Sequence, residues 1–178
     1  MQRVTLPALR QRAAGVTLAV FDVDGIMTDG GLHFLPDGKE VKMFNTLDGL
    51  GIKMLQKAGI ETAIITGRKS TQVELRAKSL GITYLHQGRE DKLVALESLW
   101  QETSHTAETT AYIGDDLPDL SAIRAAAFGV TVPNGHHFVK DHADWCTTRT
   151  GGFGAAREFC EAILEAQGKL DALYEEFL

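Results

Sequence analysis

Leu18-Ala19-Val20-Phe21-Asp22-Val23-Asp24-Gly25 decides the fold, because four apolar residues run straight into Asp-x-Asp-Gly. A short apolar run closed by a turn-forming glycine reads as a strand covered on both faces, the kind found in parallel sheets. The strand is expected over Leu18–Val23. Asp22 and Asp24 are two residues apart, so in extended chain they project from one face. Three further polar stations follow in order: Thr66-Gly67-Arg68, Asp91-Lys92 and Gly114-Asp115-Asp116-Leu117-Pro118-Asp119. Two of them directly follow β-like runs, and Asp91-Lys92 comes a few residues after Tyr84-Leu85-His86. In an open α/β sheet, ligands bind outside the carboxyl ends of the strands. The four stations are therefore expected to meet at one edge.

What gathers there is two groups of carboxylates, a hydroxyl and an ammonium, a set suited to a magnesium ion and a phosphoryl group. A carboxylate and a phosphate monoester repel each other. A hard cation between them relieves that repulsion, and Mg²⁺ prefers carboxylate, carbonyl and water oxygens. Asp22 is the expected nucleophile. Asp24 would protonate the leaving alcohol and then activate the water that hydrolyses an aspartyl-phosphate. Asp22 and Asp115 would hold the metal by side chains and Asp24 by its backbone carbonyl. Asp116 and Asp119 would support them or orient substrate. Thr66 and the Gly67 N–H would donate to phosphoryl oxygens, and Lys92 would offset transition-state charge.

Each station alone has a plainer reading as a turn, a solvated lysine or a helix start. An EF-hand is excluded, since its fifth, sixth and twelfth positions would be Ile26, Met27 and His33. A receiver domain uses similar groups, but its acidic pair precedes its phosphoacceptor, an order this chain does not show. A mutase shares the machinery, but it normally needs a cap to exclude water.

Taken together, these stations resemble the haloacid dehalogenase superfamily of phosphohydrolases, over nearly the whole chain. Phe21–Gly30, Asp48-Gly49-Leu50-Gly51-Ile52, Thr66–Ser70 and Gly151–Glu158 are most similar to its capless 3-deoxy-D-manno-octulosonate 8-phosphate phosphatases. Related nine-carbon sugar-acid phosphatases look alike. The resemblance implies a magnesium-dependent phosphatase of lipopolysaccharide precursor synthesis. It also implies substrate contacts at Asn45, Thr46, Leu47, Asp48, Gly49, Lys53, Arg68 and Arg76, beside Asp24, Gly67, Lys92 and Asp116. The family pattern has a polar or basic residue where Leu47 stands and arginine where Lys53 stands.

Composition agrees with one compact enzyme domain over 1–178. Hydrophobic residues are 44% and charged residues 24%, ordinary for a chain with a real core. A net charge of −6 with no run of five like charges argues against nucleic acid. Cys146 and Cys160 do not make a disulfide framework. With no long apolar stretch, neither a signal peptide nor a membrane span is expected, which points to the cytoplasm. His136-His137 reads as a surface loop.

The alternation of strand and helix predicts a three-layer Rossmann-like α/β fold with a mostly parallel sheet. Later strands are expected over Glu61–Ile65, Tyr84–Gln87, Thr110–Ile113 and Phe128–Val132. Leu47, Leu50, Met54, Leu55 and Ala58 are expected to form one helix face. Thr71-Gln72-Val73-Glu74 reads as a capping box, and Gly59, Gly81 and Gly129 as left-handed helix ends. Leu93, Leu96 and Trp100 mark a third helix; Leu120, Ile123 and Ala127 mark a fourth. Residues 31–44 read as a protruding hairpin about Pro36-Asp37-Gly38, apolar at Leu32, Phe34, Val41 and Met43. Only 41 residues separate Asp24 from Thr66 and 25 separate Thr66 from Lys92, too few for a cap domain. A site without a cap is expected to be completed by a homo-oligomer, with a tetramer implied by the resemblance. The tail over 168–178, weakened at Gly168, is a candidate lid.

Overall fold

The computed structural model describes residues 6–178, and alternate strand residues sort cleanly into two cores. In β1 (Leu18–Phe21), Leu18 and Val20 face one core while Ala19 and Phe21 face the other. β4 (Glu61–Thr66) and β6 (Thr110–Ile113) divide the same way: Ala63, Ile65 and Tyr112 on one side, Ile64, Ala111 and Ile113 on the other. A strand that is apolar on both faces must be covered on both. One side is covered by α1 (Leu6–Ala14), α2 (Thr46–Lys57), α3 (Thr71–Leu80) and α7 (Ala155–Ala166). The other is covered by α4 (Lys92–Glu102), α5 (Leu120–Ala125) and α6 (His137–His142). Phe21 and Phe128 both meet Phe159 of α7, the first edge-on at 5.4 Å between centroids. Each such buried ring contributes about 1.5–3 kcal/mol.

With β5 (Tyr84–Gln87), β7 (Phe128–Thr131) and β8 (Trp145–Cys146), the sheet runs β5-β4-β1-β6-β7-β8, and every pairing is parallel. The chain builds outward from β1 to β4 and β5, then returns to β6 and builds the other way. The switch point therefore lies between β1 and β6, where a ligand crevice is expected. Phe21 is level with Ile64 on one side and Ile113 on the other, so β1 and β6 end together while β4 runs two residues further to Thr66.

Several local expectations needed correction. The first strand stops at Phe21, because Val23 O instead accepts from the N–H groups of Ile26, Met27 and Thr28 and curls the chain into a turn. In α2 the buried face is Asp48, Gly49, Gly51, Ile52, Met54 and Leu55, while Leu47 and Leu50 are exposed. Two glycines and a capping carboxylate made that face look polar. The α3 cap is Ser70 rather than Thr71; Ser70 Oγ bonds Gln72, and Glu74 accepts from Gln87. Gly59 and Gly81 are left-handed, but Gly129 is not; it lies within β7, where a Cβ would sit 2.1 Å from Ile123 O. α5 ends at Ala125, short of Ala127. The two-residue strand β8 and helices α1 and α6 were not anticipated; His136-His137, read as a surface loop, instead caps and opens α6.

The hairpin is present but short: β2 (His33–Phe34) pairs antiparallel with β3 (Glu40–Val41). It is what stands between β1 and α2 where a cap could have been inserted. Its register sets His33 opposite Val41 and Phe34 opposite Glu40, so Phe34 and Val41 project from opposite faces. After α7, Gly168 (φ +66°) breaks the helix, and α8 (Leu170–Glu175) folds back. Tyr174 donates to Glu161 at 2.5 Å, and Glu176 pairs with Lys57 at the end of α2 remote from Asn45. Within one chain the tail thus lies away from the carboxyl edge of the sheet.

Candidate active site

Asp22 emerges directly from β1, its N–H donating to Ile113 O of β6 at 3.0 Å. Thr66 closes β4, and Lys92 opens α4 behind the cap Asp91. Gly114-Asp115 leaves β6, and Asp116 caps the short turn Leu117–Asp119. These segments line one cleft of about 370 Å³, formed by Asp22, Asp24, Gly30, Thr66, Gly67, Arg68, Glu90, Lys92, Asp115, Asp116, Pro118 and Asp119.

Lys92 is almost wholly buried and donates to three acceptors: Asp22 Oδ1 at 2.5 Å, Asp119 Oδ1 at 3.0 Å and Ile65 O at 3.0 Å. Burial alone would lower the Lys92 ammonium, but Asp22 and Asp119 outweigh it and raise it above its ordinary value. Asp119 also accepts from the Tyr112 hydroxyl at 2.9 Å and from the N–H groups of Asp115 and Asp116, both at 3.2 Å. Burial, then Asp119, raises Tyr112 well above its usual range, so it stays a donor.

One ammonium does not balance the carboxylates around it. Burial and then Asp119 push Asp22 well above the usual carboxylate range against the opposing pull of Lys92. Burial, Asp119 and Asp116 push Asp115 up to about 7. Oxygens of Asp22, Asp115 and Asp119 lie within 4.8 Å of one another, the spacing of a cation's ligands. Both Asp119 oxygens already accept hydrogen bonds, so Asp22 and Asp115 remain the better donors to a metal. The donor set is all oxygen, which suits a hard divalent ion.

Close backbone approach shapes the cleft. Gly25 (φ +96°) lies where a Cβ would be 2.1 Å from the Asp115 carboxylate, and a Cβ on Gly151 would be 1.7 Å from Gly25 O. The Gly151-Gly152 segment is thereby packed onto the Asp22–Gly25 loop.

Of the substrate residues named from the sequence, the cleft gathers Asp24, Gly67, Arg68, Lys92 and Asp116. Asn45, Thr46, Leu47, Asp48, Gly49, Lys53 and Arg76 do not line it. Asn45 caps α2, accepting from the Leu47 N–H and donating to Gly152 O at 3.0 Å. Asp48 is buried and accepts from the Arg157 N–H of α7 at 2.8 Å, joining two helix N-termini. Gly49 makes room for Arg76, whose Nη2 donates to Asn45 O at 2.9 Å. Lys53 points toward Gly81 at the far end of α3. Thr46 and Leu47 are exposed on the first turn of α2.

The structure adds residues that sequence reasoning missed. Lys42, its side chain buried, forms an ion pair with Asp24 and lies 3.4 Å from Glu40, which bridges to Arg68 at 2.9 Å. The hairpin therefore sends two side chains back into its own site. The only signal was the alternation of Glu40, Val41 and Lys42, which sets charged residues opposite the apolar Val41.

Among proteins of known activity, the chain is 42% identical over 160 residues to the 3-deoxy-D-manno-octulosonate 8-phosphate phosphatase of Escherichia coli K12, covering 90% of this chain and 85% of that one. This chain belongs to that phosphatase family. Residues 86–157 also match the haloacid dehalogenase-like hydrolase family. The family's enzyme from Moraxella catarrhalis, solved with magnesium, phosphate and KDO, superposes with a TM-score of 0.96 at 46% identity, covering 98% of this chain and all of that one. A probable YrbI-family phosphatase from Pseudomonas syringae is 57% identical, with a TM-score of 0.94 over 95% of this chain and 96% of that one. No helix among the described residues is long and apolar enough to cross a membrane.

Proposed function

We propose that this chain is a magnesium-dependent phosphatase that hydrolyses 3-deoxy-D-manno-octulosonate 8-phosphate to the free sugar acid and phosphate, supplying lipopolysaccharide precursor synthesis in the cytoplasm. The observation that carries the reading is Asp22, buried at the switch point with Lys92 at 2.5 Å and Asp115 close by. It stands in a chain whose Moraxella relative holds magnesium, phosphate and KDO.

Asp22 Oδ attacks phosphorus, and the sugar oxygen leaves as the bond to it breaks. Asp24 gives that oxygen a proton, then takes one from the water that releases phosphate from Asp22. Lys92, Thr66 and the Gly67 N–H hold the phosphoryl oxygens where charge builds up. Asp119 keeps Lys92 aimed and clamps the Asp115 backbone. Mg²⁺, held by Asp22, Asp115 and the Asp24 carbonyl, would supply the positive charge that lets an anionic nucleophile approach an anionic ester. Arg68 and Asp116, which line the cleft, would meet the sugar acid's carboxylate and hydroxyls.

The test is phosphate release across a panel of eight- and nine-carbon sugar-acid phosphates and simple sugar phosphates. The eight-carbon 8-phosphate should be turned over with the highest kcat/KM, and a strong chelator should abolish activity. Preference for a nine-carbon ester would move the assignment to that substrate, and full activity in chelator would remove the metal.

We also propose that the functional unit is a homotetramer. Leu32, Phe34, Val41 and Met43 are all exposed, Phe34 by 61%. A monomer would leave this apolar surface wet, at about 1.5–3 kcal/mol for each side chain that a partner could bury. Because Phe34 and Val41 face opposite ways, one hairpin can meet two neighbours, as closure around an axis requires. Phe34→Asp with Val41→Asp should give a monomer by light scattering, with sugar-acid selectivity weakened and small esters still hydrolysed. A monomeric wild type with full selectivity would exclude the assembly.

A further inference from the structure

The ion pair between Lys42 and Asp24 has no place in the phosphoryl-transfer scheme so far, yet it is among the most enclosed in the molecule. The Lys42 side chain is 1% exposed, and it comes from the hairpin rather than from a strand end. The Glu40 carbonyl accepts from Gln72 Nε2 of α3 at 2.7 Å, so the hairpin's second arm is fastened to the rim by its backbone. From there the side chains form an alternating series: Asp24, Lys42, Glu40 and Arg68. Lys42 engages Oδ1 of Asp24 and not Oδ2, and Asp24 is one of the residues that line the cleft.

We propose that Lys42 is a positioning residue for Asp24, holding the carboxylate so that one oxygen is aimed at the leaving oxygen of the phosphate ester. The inference rests on the acid–base reading of Asp24. The step it serves is the first transfer: the bond from Asp22 to phosphorus forms, the phosphorus–oxygen bond to the sugar breaks, and the proton on Asp24 passes to the departing oxygen. A freely rotating Asp24 would reach that oxygen in only a fraction of its rotamers. Lys42 removes the others without touching substrate. Docking of the hairpin onto the rim thereby becomes part of assembling the catalytic centre.

Leaving-group dependence distinguishes this role from a structural one. An alkyl phosphate needs its departing oxygen protonated, whereas p-nitrophenyl phosphate expels a stable anion that does not. Lys42→Met should lower kcat about ten- to hundredfold on 3-deoxy-D-manno-octulosonate 8-phosphate and on glycerol 2-phosphate, with KM little changed. Its burst of p-nitrophenolate from p-nitrophenyl phosphate, which reads the first transfer alone, should keep its rate within about threefold, which also reports that the variant is folded and loaded with Mg²⁺. Asp24→Asn should lower steady-state turnover of both ester classes, because the water step needs its carboxylate whichever group has left, and adding Lys42→Met to it should lower the alkyl rates no further. Lys42→Arg should recover part of the loss.

Equal losses in the first transfer of aryl and alkyl esters in Lys42→Met, with Asp24→Asn still impaired, would overturn the proposal alone. A loss confined to the sugar-acid ester would overturn it too, by making Lys42 a substrate contact. Unchanged turnover in Asp24→Asn would overturn the acid–base reading and the proposal with it.

Discussion

Asp22→Asn should abolish phosphate release, by about 10⁴-fold or more, and leave the fold as stable as before or more so. The amide cannot form the aspartyl-phosphate, so the loss should appear in kcat for alkyl and aryl esters alike. The stability follows from the balance of charges at the site. Burial and the neighbouring Asp119 disfavour the Asp22 charge more than Lys92 favours it, since its carboxyl is held well above the usual range. An amide of the same shape removes that cost and can still accept from Lys92 through its oxygen. Calorimetry without metal should show a melting temperature equal to or above that of the parent, while Mg²⁺ stabilises the variant less than it stabilises the parent. Normal turnover would remove Asp22 as nucleophile, and a fall of more than about 5 °C would show that the Asp22–Lys92 pair is structural.

Asp119→Ala should damage activity and stability together. Four donors lose an acceptor: Lys92 Nζ, the Tyr112 hydroxyl and the N–H groups of Asp115 and Asp116. Buried donors left unpaired cost about 1–3 kcal/mol each. Against this stands relief of repulsion, because Asp119 is the foremost charged neighbour raising both Asp22 and Asp115. The hydrogen bonds should win, with a net loss of about 2–4 kcal/mol and about 5–15 °C in melting temperature. The rate should fall about a hundredfold or more as Lys92 and the Asp115 backbone lose their clamp.

The pH dependence carries a second signature of the same change. In the parent, the Asp115 carboxyl is raised to about 7 from 3.8. Between those values the folded state holds a proton that the unfolded chain has released, so this group's contribution to stability falls as pH rises from about 4 to 7. Removing Asp119 lowers that folded value and should flatten the decline. Melting curves across this range would show it, and an unchanged slope would assign the Asp115 shift to burial and Asp116.

The strand ends and their chemistry were legible because they are local. Asp22, Thr66, Lys92 and Asp115 each follow or soon succeed a β-like run, and parallel strands deliver their carboxyl ends to one edge whatever their order. The hairpin was legible from Pro36-Asp37-Gly38, although its side chains were read as pointing outward. The helix face of α2 was misread because hydrophobic periodicity treats glycine and aspartate as polar. Gly49 and Gly51 are buried so that Arg76 and Arg157 can approach, and Asp48 is buried because it caps α7. The same long-range contacts hold Asn45 and Arg76 in hydrogen bonds to distant backbone, apart from the cleft lining of the single chain.

The sequence by itself determined a parallel, doubly covered sheet, four acidic and polar stations at its carboxyl edge, and a chemistry of phosphoryl transfer through aspartate. Those properties depend on residues close in the chain and on rules that every parallel sheet obeys. Only the tertiary structure decided that Lys42 meets Asp24, that Glu40 meets Arg68, that Asp119 joins four donors, and that Gly129 and Gly151 must lack a side chain. Each of these pairs segments brought together by packing, and a pattern read along one chain does not record which distant backbone will lie against it.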